Sequence, residues 1–348
     1  MAFFQRRIKP SSQPVDLAAI SAANPHLQQP QGDGTEHYVT LFDANFLPQG
    51  LCLYYSLVRH GGDFVLWVLC IDRECLETLQ RLNLPRLRLL DLEQLETPEL
   101  LSVKPTRSRT EYCWTLTPFT VRFVFEVDST VQRATYLDAD MFFFKSPRSI
   151  FEELEATGKS VLITDHAYAP EYDESATSGQ YCVQFMTFTR IAAEPVRKWW
   201  EVSCIEWCKA RSEHGKFGDQ KYIESFEFLF PSLVHVLQRL DILLAPWNAC
   251  RFPYSRCIAY HFHSLRLTGP TSPIVLVSGR RMPRPTIQNI YYPYVLILVS
   301  VLGFHGLTAP QQISYYRSTW IHYVVCCLMI LRRNCRIGMF ERYAVALP

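Results

Sequence analysis

The chain has 348 residues, 48% of them hydrophobic and 20% charged, and its 35 basic and 33 acidic side chains leave a formal charge of only +2. That length supports one large α/β domain with appendages, or two modest domains, and the near-balance of charge leaves no general electrostatic footprint for nucleic acid, so no nucleic-acid partner is expected. Twelve cysteines occur without a CxxC pair, a spacing that reads as reduced, often buried thiols of a cytosolic protein and not as a disulfide framework or a zinc site.

In chain order, residues 1–35 are rich in Gln, Pro, Ser and Ala with little periodicity, which predicts a poorly ordered leader. The opening "MAFFQRRIKPSSQPVDL" lacks the apolar core and small-residue cleavage site of a secretion signal. A first strand is predicted at "HYVTLFD", a helix at "FLPQGLCLYYSLVRH" stopped by Gly61-Gly62, a strand at "FVLWVLCID", a helix at "RECLETLQRL" and a strand at "LRLLDL". This is the βαβ alternation of a mostly parallel, doubly wound sheet. A helical "TLTPFTVRFVFEV" and the strand "RATYLD" come next, then a helix "PRSIFEELEA" entered through Ser146 and Pro147. The strands "SVLIT" and "CVQFMTFT", the aromatic helix "EPVRKWWEVSCIEWCKA", the polar "FGDQKYIESF" and the strand-like "CIAYHFHSLRL" complete a domain over 36–268. From 269 a basic, proline-rich linker leads into "IYYPYVLILVSVLGF" and "WIHYVVCCLMIL", the second followed by Arg332, Arg333 and Arg336. Each apolar stretch falls short of the roughly 20 residues a spanning helix needs. Docking on the domain, lying in an anionic membrane surface and spanning the bilayer all remain open, with docking favoured.

Asp138 closes "RATYLD" and Asp140 follows in "ATYLDADMFFFKSP". The carboxyl edge of a parallel sheet is where ligands bind, and two hard oxygen ligands so close together can share Mg²⁺ or Mn²⁺ while leaving positions for phosphate oxygens. Two turn aspartates alone would be ordinary. The apolar flanks "ATYL" and "MFFF" bury their surroundings and make an unpaired double charge expensive. His261 and His263 alternate in "HFHS" and are expected on one side of a strand, with His261 the first choice as a third ligand and His263 the other.

"RATYLDADMFFFKSPRSIFEEL" resembles the DxD segment of GT-A nucleotide-sugar glycosyltransferases, especially the retaining family that includes glycogenin and bacterial lipopolysaccharide galactosyltransferases. The likeness runs from about Tyr38 to Leu267. It implies a GT-A fold, a Rossmann-like, mostly parallel sheet to which this chain adds a C-terminal helical extension, and transfer from a nucleotide diphosphate donor, expected to be a UDP-sugar. It further implies that Phe42 and Asp43 lie near the base, that Arg122 of "PFTVRFVFE" contacts the donor, and that Asp138, Asp140 and a histidine of "HFHS" hold the metal. Asp219 and Gln220 of "GDQK" match the element beside the reacting sugar, which implies that Asp219 binds sugar hydroxyls and Gln220 approaches the anomeric carbon; Asp219 is equally a plausible helix cap. The chain departs from the family at Cys182-Val183-Gln184, where an Asn-Ala-Gly-like turn is usual, and at Ser264 and Arg266, where a Gly and Lys-Pro-Trp usually follow the histidine. Arg266 can still meet a diphosphate.

Trp247 and Asn248 are candidates for an acceptor wall, Asp165 and His166 for an acid/base pair, and Trp199, Trp200 and Trp207 for core. No glycine-rich phosphate loop, serine elbow or zinc signature occurs. The expected protein is a metal-dependent, retaining hexosyltransferase acting in cell-surface glycan synthesis on a glycan, lipid-linked or protein acceptor. It is expected in the cytoplasm, peripheral on the inner face of the membrane. The alternatives are a catalytically silent nucleotide- or sugar-binding protein at a membrane surface and a DxD phosphohydrolase.

Overall fold

A computed structural model describes residues 34–267, 274–276 and 280–307. The second apolar stretch, the leader up to residue 33 and the arginines after residue 331 lie outside the described residues. The central layer is a seven-stranded sheet in the order β3-β2-β1-β4-β7-β6-β8. Its strands are β1 (Glu36–Phe42), β2 (Phe64–Cys70), β3 (Leu87–Asp91), β4 (Arg133–Leu137), β6 (Val161–Asp165), β7 (Tyr181–Thr189) and β8 (Val234–Val236). Strands β1, β2, β3 and β4 pair in parallel, β7 runs antiparallel to both β4 and β6, and β8 is parallel to β6.

Both faces of the sheet are covered, so its central strands β2, β4, β6 and β7 are buried at nearly every position and not merely at alternate ones. In β2, Phe64, Leu66, Val68 and Cys70 enter one core, while Val65, Trp67 and Leu69 enter the other. The first core lies under α1 (Leu47–His60), α2 (Arg73–Leu82) and α4 (Arg148–Thr157), and the second under α3 (Arg109–Val127) and α5 (Glu194–Glu206). Every residue of α1 from Leu47 to Val58 is buried. Gly50 is required there, since a Cβ would stand 2.4 Å from the ring of Phe42. Helix α3 starts earlier than its apolar spacing suggests, because Ser108 and Glu111 form a capping box, the Glu111 amide donating to the Ser108 hydroxyl and the Ser108 amide to the Glu111 carboxylate.

The C-terminal part of the described chain belongs to the first core. Residues Arg284–Phe304 form one helix, α6, of 21 residues, long and apolar enough by length and composition to cross a membrane, with 44% of its apolar window buried in the protein. The expectation that the first apolar stretch falls short of a spanning length is corrected here. Pro285 sits in the first turn, where a missing amide costs little, and a π turn over Ile287–Tyr291 carries the helix on. Ile290, Tyr291, Tyr294, Leu298 and Val301 are buried, Tyr294 stacks on Phe262 with centroids 3.6 Å apart, and Tyr55 of α1 hydrogen-bonds His305 at 2.9 Å. The nine cysteines among the described residues are free thiols, seven of them buried.

Candidate active site

Strand order reverses between β1 and β4, which opens a crevice at their carboxyl ends. Asp138 follows β4 there, and its amide donates to the Gln184 carbonyl of β7 at 3.2 Å. The chain then turns at once, Met141 N–H donating to Asp138 O at 3.1 Å, and enters β5 (Met141–Phe143). Strand β5 pairs antiparallel with β10 (Ala259–His261), itself parallel to β9 (Leu243–Leu244), and sets His261 opposite Met141. Residues more than a hundred positions apart thereby meet. The ligand atoms of Asp138, Asp140 and His261 all lie within 4.8 Å of one another. His261 Nε2 is 3.0 Å from Asp140 Oδ1 and 3.6 Å from Asp138 Oδ2. His261 Nδ1 faces Gln184 Oε1 at 2.9 Å.

The strand ends at His261, so the expected alternation of His261 and His263 does not continue. Ser264 takes a left-handed φ of 69° and turns the chain into β11 (Leu265–Leu267), which pairs with β12 (Ile274–Leu276). His263 lies in that turn, exposed, with its ring 5.5 Å from that of His261 and outside the three-residue group. The physical reason is a strand of only three residues closed by a non-glycine in a conformation that costs an L-residue about 1–2 kcal/mol.

The electrostatics of the group follow from burial and crowding. Burial raises the Asp138 carboxyl, an effect that Asp140 reinforces and His261 opposes. Burial would also raise Asp140, but His261 beside it outweighs this and holds it well below the ordinary carboxylate range, with a contribution from Arg266. Asp219 stands near this charge. Burial, with the negative field of Asp138 added and the Thr117 hydroxyl opposing, pushes its carboxyl up to about 7. Its Oδ2 has no hydrogen-bond partner among the described residues, and its backbone carbonyl accepts from Trp200 Nε1 at 2.8 Å. Gln220 is half-buried and donates through Nε2 to Ser178 O at 2.7 Å.

The carboxyl edge of β1 and β2 holds Asp43 and a residue the sequence reading missed. Asp43 follows β1 and accepts from the amides of Asn45 and Phe46, while Asp72 follows β2 and caps α2 through the Cys75 amide at 2.9 Å. Arg109, in the first turn of α3, joins them, donating to Asp43 Oδ2 at 2.8 Å and to Asp72 Oδ2 at 2.6 Å. Phe42 is buried under α1. The guanidinium of Arg266 lies 5.6 Å over the Phe46 ring, between this edge and Asp140. Arg122 turns towards α5, pairing with Glu126 at 2.7 Å and Glu201 at 3.5 Å. A wall of rings flanks the Asp138–Asp140–His261 group: Trp247 is 5.4 Å from His261 and 5.1 Å from His166, and His166 stacks on Tyr168 at 4.6 Å. Trp247 and Asn248 both donate to the His166 carbonyl, at 2.9 and 3.0 Å. Burial lowers His166 to about 3, and Asp165 is tied to the Ala167 amide and the Gln180 side chain, so the two do not form an acid/base pair with each other.

No family model matches the chain. Two proteins of Bacillus subtilis strain 168, both described as uncharacterized, align over most of it. YfnF is 28% identical over 302 residues, 80% of this chain and 99% of its own length. YfnD is 32% identical over 286 residues, 76% of this chain and 89% of its own length. Solved structures it resembles are glycosyltransferases. They include mouse xyloside xylosyltransferase 1 (TM-score 0.44, 17% identity, 65% of this chain and 97% of that one). GlyE of Streptococcus pneumoniae TIGR4 gives a TM-score of 0.47 at 14% identity over 80% of this chain and 66% of that one. The galactosyltransferase LgtC, solved with donor and acceptor sugar analogues, gives 0.47 at 11% identity over 76% of this chain and 95% of that one.

Proposed function

The chain belongs to the family of the Bacillus subtilis protein YfnD, and we propose that it is a metal-dependent glycosyltransferase moving a sugar from a UDP-sugar to an acceptor hydroxyl. The observation that carries the reading is the Asp138–Asp140–His261 group at the point where the strand order reverses. Its donor set fits a divalent cation such as Mn²⁺ or Mg²⁺: two carboxylates supply hard oxygen, one imidazole turns a ring nitrogen on both, and three protein ligands leave positions for phosphate oxygens. The chemistry such a cation supplies is neutralisation of the charge that builds on the diphosphate as the sugar leaves.

The remaining work falls to the chain's own residues. Arg109 holds Asp43 and Asp72 in place for the base and ribose, Arg266 adds positive charge beside the diphosphate, and the wall of Trp247, His166 and Tyr168 keeps water from the acceptor side. Asp219 is neutral up to about pH 7 and so donates to a sugar hydroxyl more readily than it attacks carbon. That supports a retaining course without a covalent intermediate. The bond from the anomeric carbon to the diphosphate oxygen breaks, a bond to the acceptor oxygen forms, and the acceptor proton passes to the departing diphosphate. The partly uncovered apolar side of α6, with exposed Arg281 and Arg284 at its start, supports a lipid-linked acceptor met on the cytoplasmic face of a membrane.

The test is calorimetry of UDP with and without Mn²⁺, for the wild type and for Asp138→Ala with Asp140→Ala. Metal-dependent UDP binding that the double variant lacks is expected. UDP binding that is equal without metal and without the aspartates would overturn the reading.

A further inference from the structure

Gln184 stands where the resembled family has a small turn residue, in the middle of β7, whose residues from Tyr181 to Phe188 are all buried. It is fully buried, and its Nε2 has no hydrogen-bond partner among the described residues. A buried amide nitrogen without a partner costs on the order of 1–3 kcal/mol, so packing does not account for a carboxamide at this position. Its other end does. Gln184 Oε1 lies 2.9 Å from His261 Nδ1, on the opposite edge of the ring from the two carboxylates. The backbone carbonyl of the same residue accepts from the Asp138 amide at 3.2 Å.

We propose that Gln184 is the positioning residue of the metal centre, its side-chain oxygen orienting His261 and its backbone oxygen anchoring Asp138. The inference rests on the metal-site reading above. An amide oxygen can only accept, so Nδ1 must carry the proton and Nε2 is left with its lone pair on the side of Asp138 and Asp140. With the amide reversed, Nδ1 would accept, the ring proton would move to Nε2 and the nitrogen needed by a cation would be closed. A hydrogen-bonded outer partner of this kind fixes a ligating imidazole's tautomer and ring plane, and losing one costs about 10–100-fold in metal affinity. Gln184 differs from an ordinary outer partner in holding two of the three ligands, so ring and carboxylate are set in one frame.

The experiment uses the full chain and Co²⁺, whose visible absorption reports nitrogen ligation, with Ca²⁺ as an oxygen-seeking comparison. Gln184→Leu removes the acceptor together with the unpartnered nitrogen, and Gln184→Glu keeps an acceptor in place. Expected for Leu is Co²⁺ affinity lower by about 10–100-fold with an altered absorption band, against a change of no more than about threefold for Ca²⁺. Expected for Glu is Co²⁺ affinity within about threefold of wild type or tighter, with melting in chelator little changed for either variant. Leu binding Co²⁺ like wild type, or Leu weakening Co²⁺ and Ca²⁺ alike, would overturn the proposal while leaving the metal site standing. If Leu fails to fold, a folded Glu variant that loses Co²⁺ would overturn it equally. A wild type that binds neither ion would remove the site itself, which is a separate and distinguishable failure.

Discussion

Replacing Asp219 with Asn tests the electrostatic picture of the crevice, because the expected stability change reverses the usual sign for a buried site residue. Unfolded, the Asp219 carboxyl ionises near 3.8, and folded near 7. Between those values the folded chain holds a proton that the unfolded chain has released, so stability falls as pH rises through the window. The contribution is fully present below the unfolded value and lost as pH passes the folded one. A gap of about 3.2, at 1.36 kcal/mol for each step of one, amounts to about 4 kcal/mol. Asn keeps the shape and cannot ionise. In chelator, roughly 2 kcal/mol of this is already lost at pH 5 and all of it at pH 8.5, so the variant is expected to melt about 5 °C above wild type at pH 5 and about 10–15 °C above it at pH 8.5, by the usual relation of melting temperature to free energy in domains of this size. Differential scanning fluorimetry across pH 5–9 reads the gap directly. A gap that stays constant with pH, or a variant less stable throughout, would refute the argument that burial and Asp138 hold this carboxyl high. The same substitution is expected to lower sugar transfer, as a site residue that costs stability commonly does.

Three further outcomes follow from the packing and the ion pairs. Gly50→Ala drives a Cβ to 2.4 Å from the Phe42 ring, and overpacking of this kind is expected to cost about 1–3 kcal/mol, read as a lower urea midpoint; an unchanged midpoint would mean that α1 shifts freely. Arg109→Gln removes an arginine whose side chain is 42% exposed, so folding stability should move by less than about 1 kcal/mol, while UDP affinity drops about tenfold, or 1.4 kcal/mol, in calorimetry; lower stability with unchanged UDP binding would make the residue purely structural. Leu298→Ala, fully buried in α6, should cost about 2–5 kcal/mol by denaturant titration, whereas no loss would mean that α6 is not part of the folded core.

Much of the fold was legible because both faces of the sheet are buried, so strands read as short apolar runs and helices as longer periodic ones, each closed by Gly or Asp. Arg73–Leu82 is recognisable from its spacing alone, with Asp72 in place as its cap. The paired aspartates were legible for a similar reason, since charge between "ATYL" and "MFFF" has no structural excuse. What stayed hidden depends on where a chain stops. His261 and His263 alternate as if on one strand, and only Ser264, turning left-handed, ends the strand between them. Arg109 reads as one basic residue among several in "KPTRSRTEY", and only the capping box that starts α3 at that residue carries it to Asp43 and Asp72. Gln184 carried a signal that was available: one amide inside "CVQFMTF" is hard to bury unless something needs it. Arg122, singled out on the same helix, pairs in the structure with Glu126 and with Glu201 of α5.

The crevice gathers more negative charge than its cations balance. Asp138, Asp140, Asp43 and Asp72 gather there, against the guanidinium groups of Arg109 and Arg266. Arg109 is already divided between two carboxylates, and His261 sits between two more. A diphosphate entering alone would meet mainly like charge at the DxD turn, which costs several kcal/mol in a partly desolvated site. A divalent cation entering alone would satisfy the aspartates yet keep open positions that water fills less well than phosphate oxygen. On the proposed reading each ligand removes the obstacle to the other, and by linkage the factor by which the cation would tighten the nucleotide equals the factor by which the nucleotide would tighten the cation. The same reasoning explains why orientation matters so much at His261. With Nε2 open the ring joins the carboxylates in holding the cation, whereas with Nε2 protonated it neutralises them instead, and the crevice would have neither the metal nor the charge that recruits it.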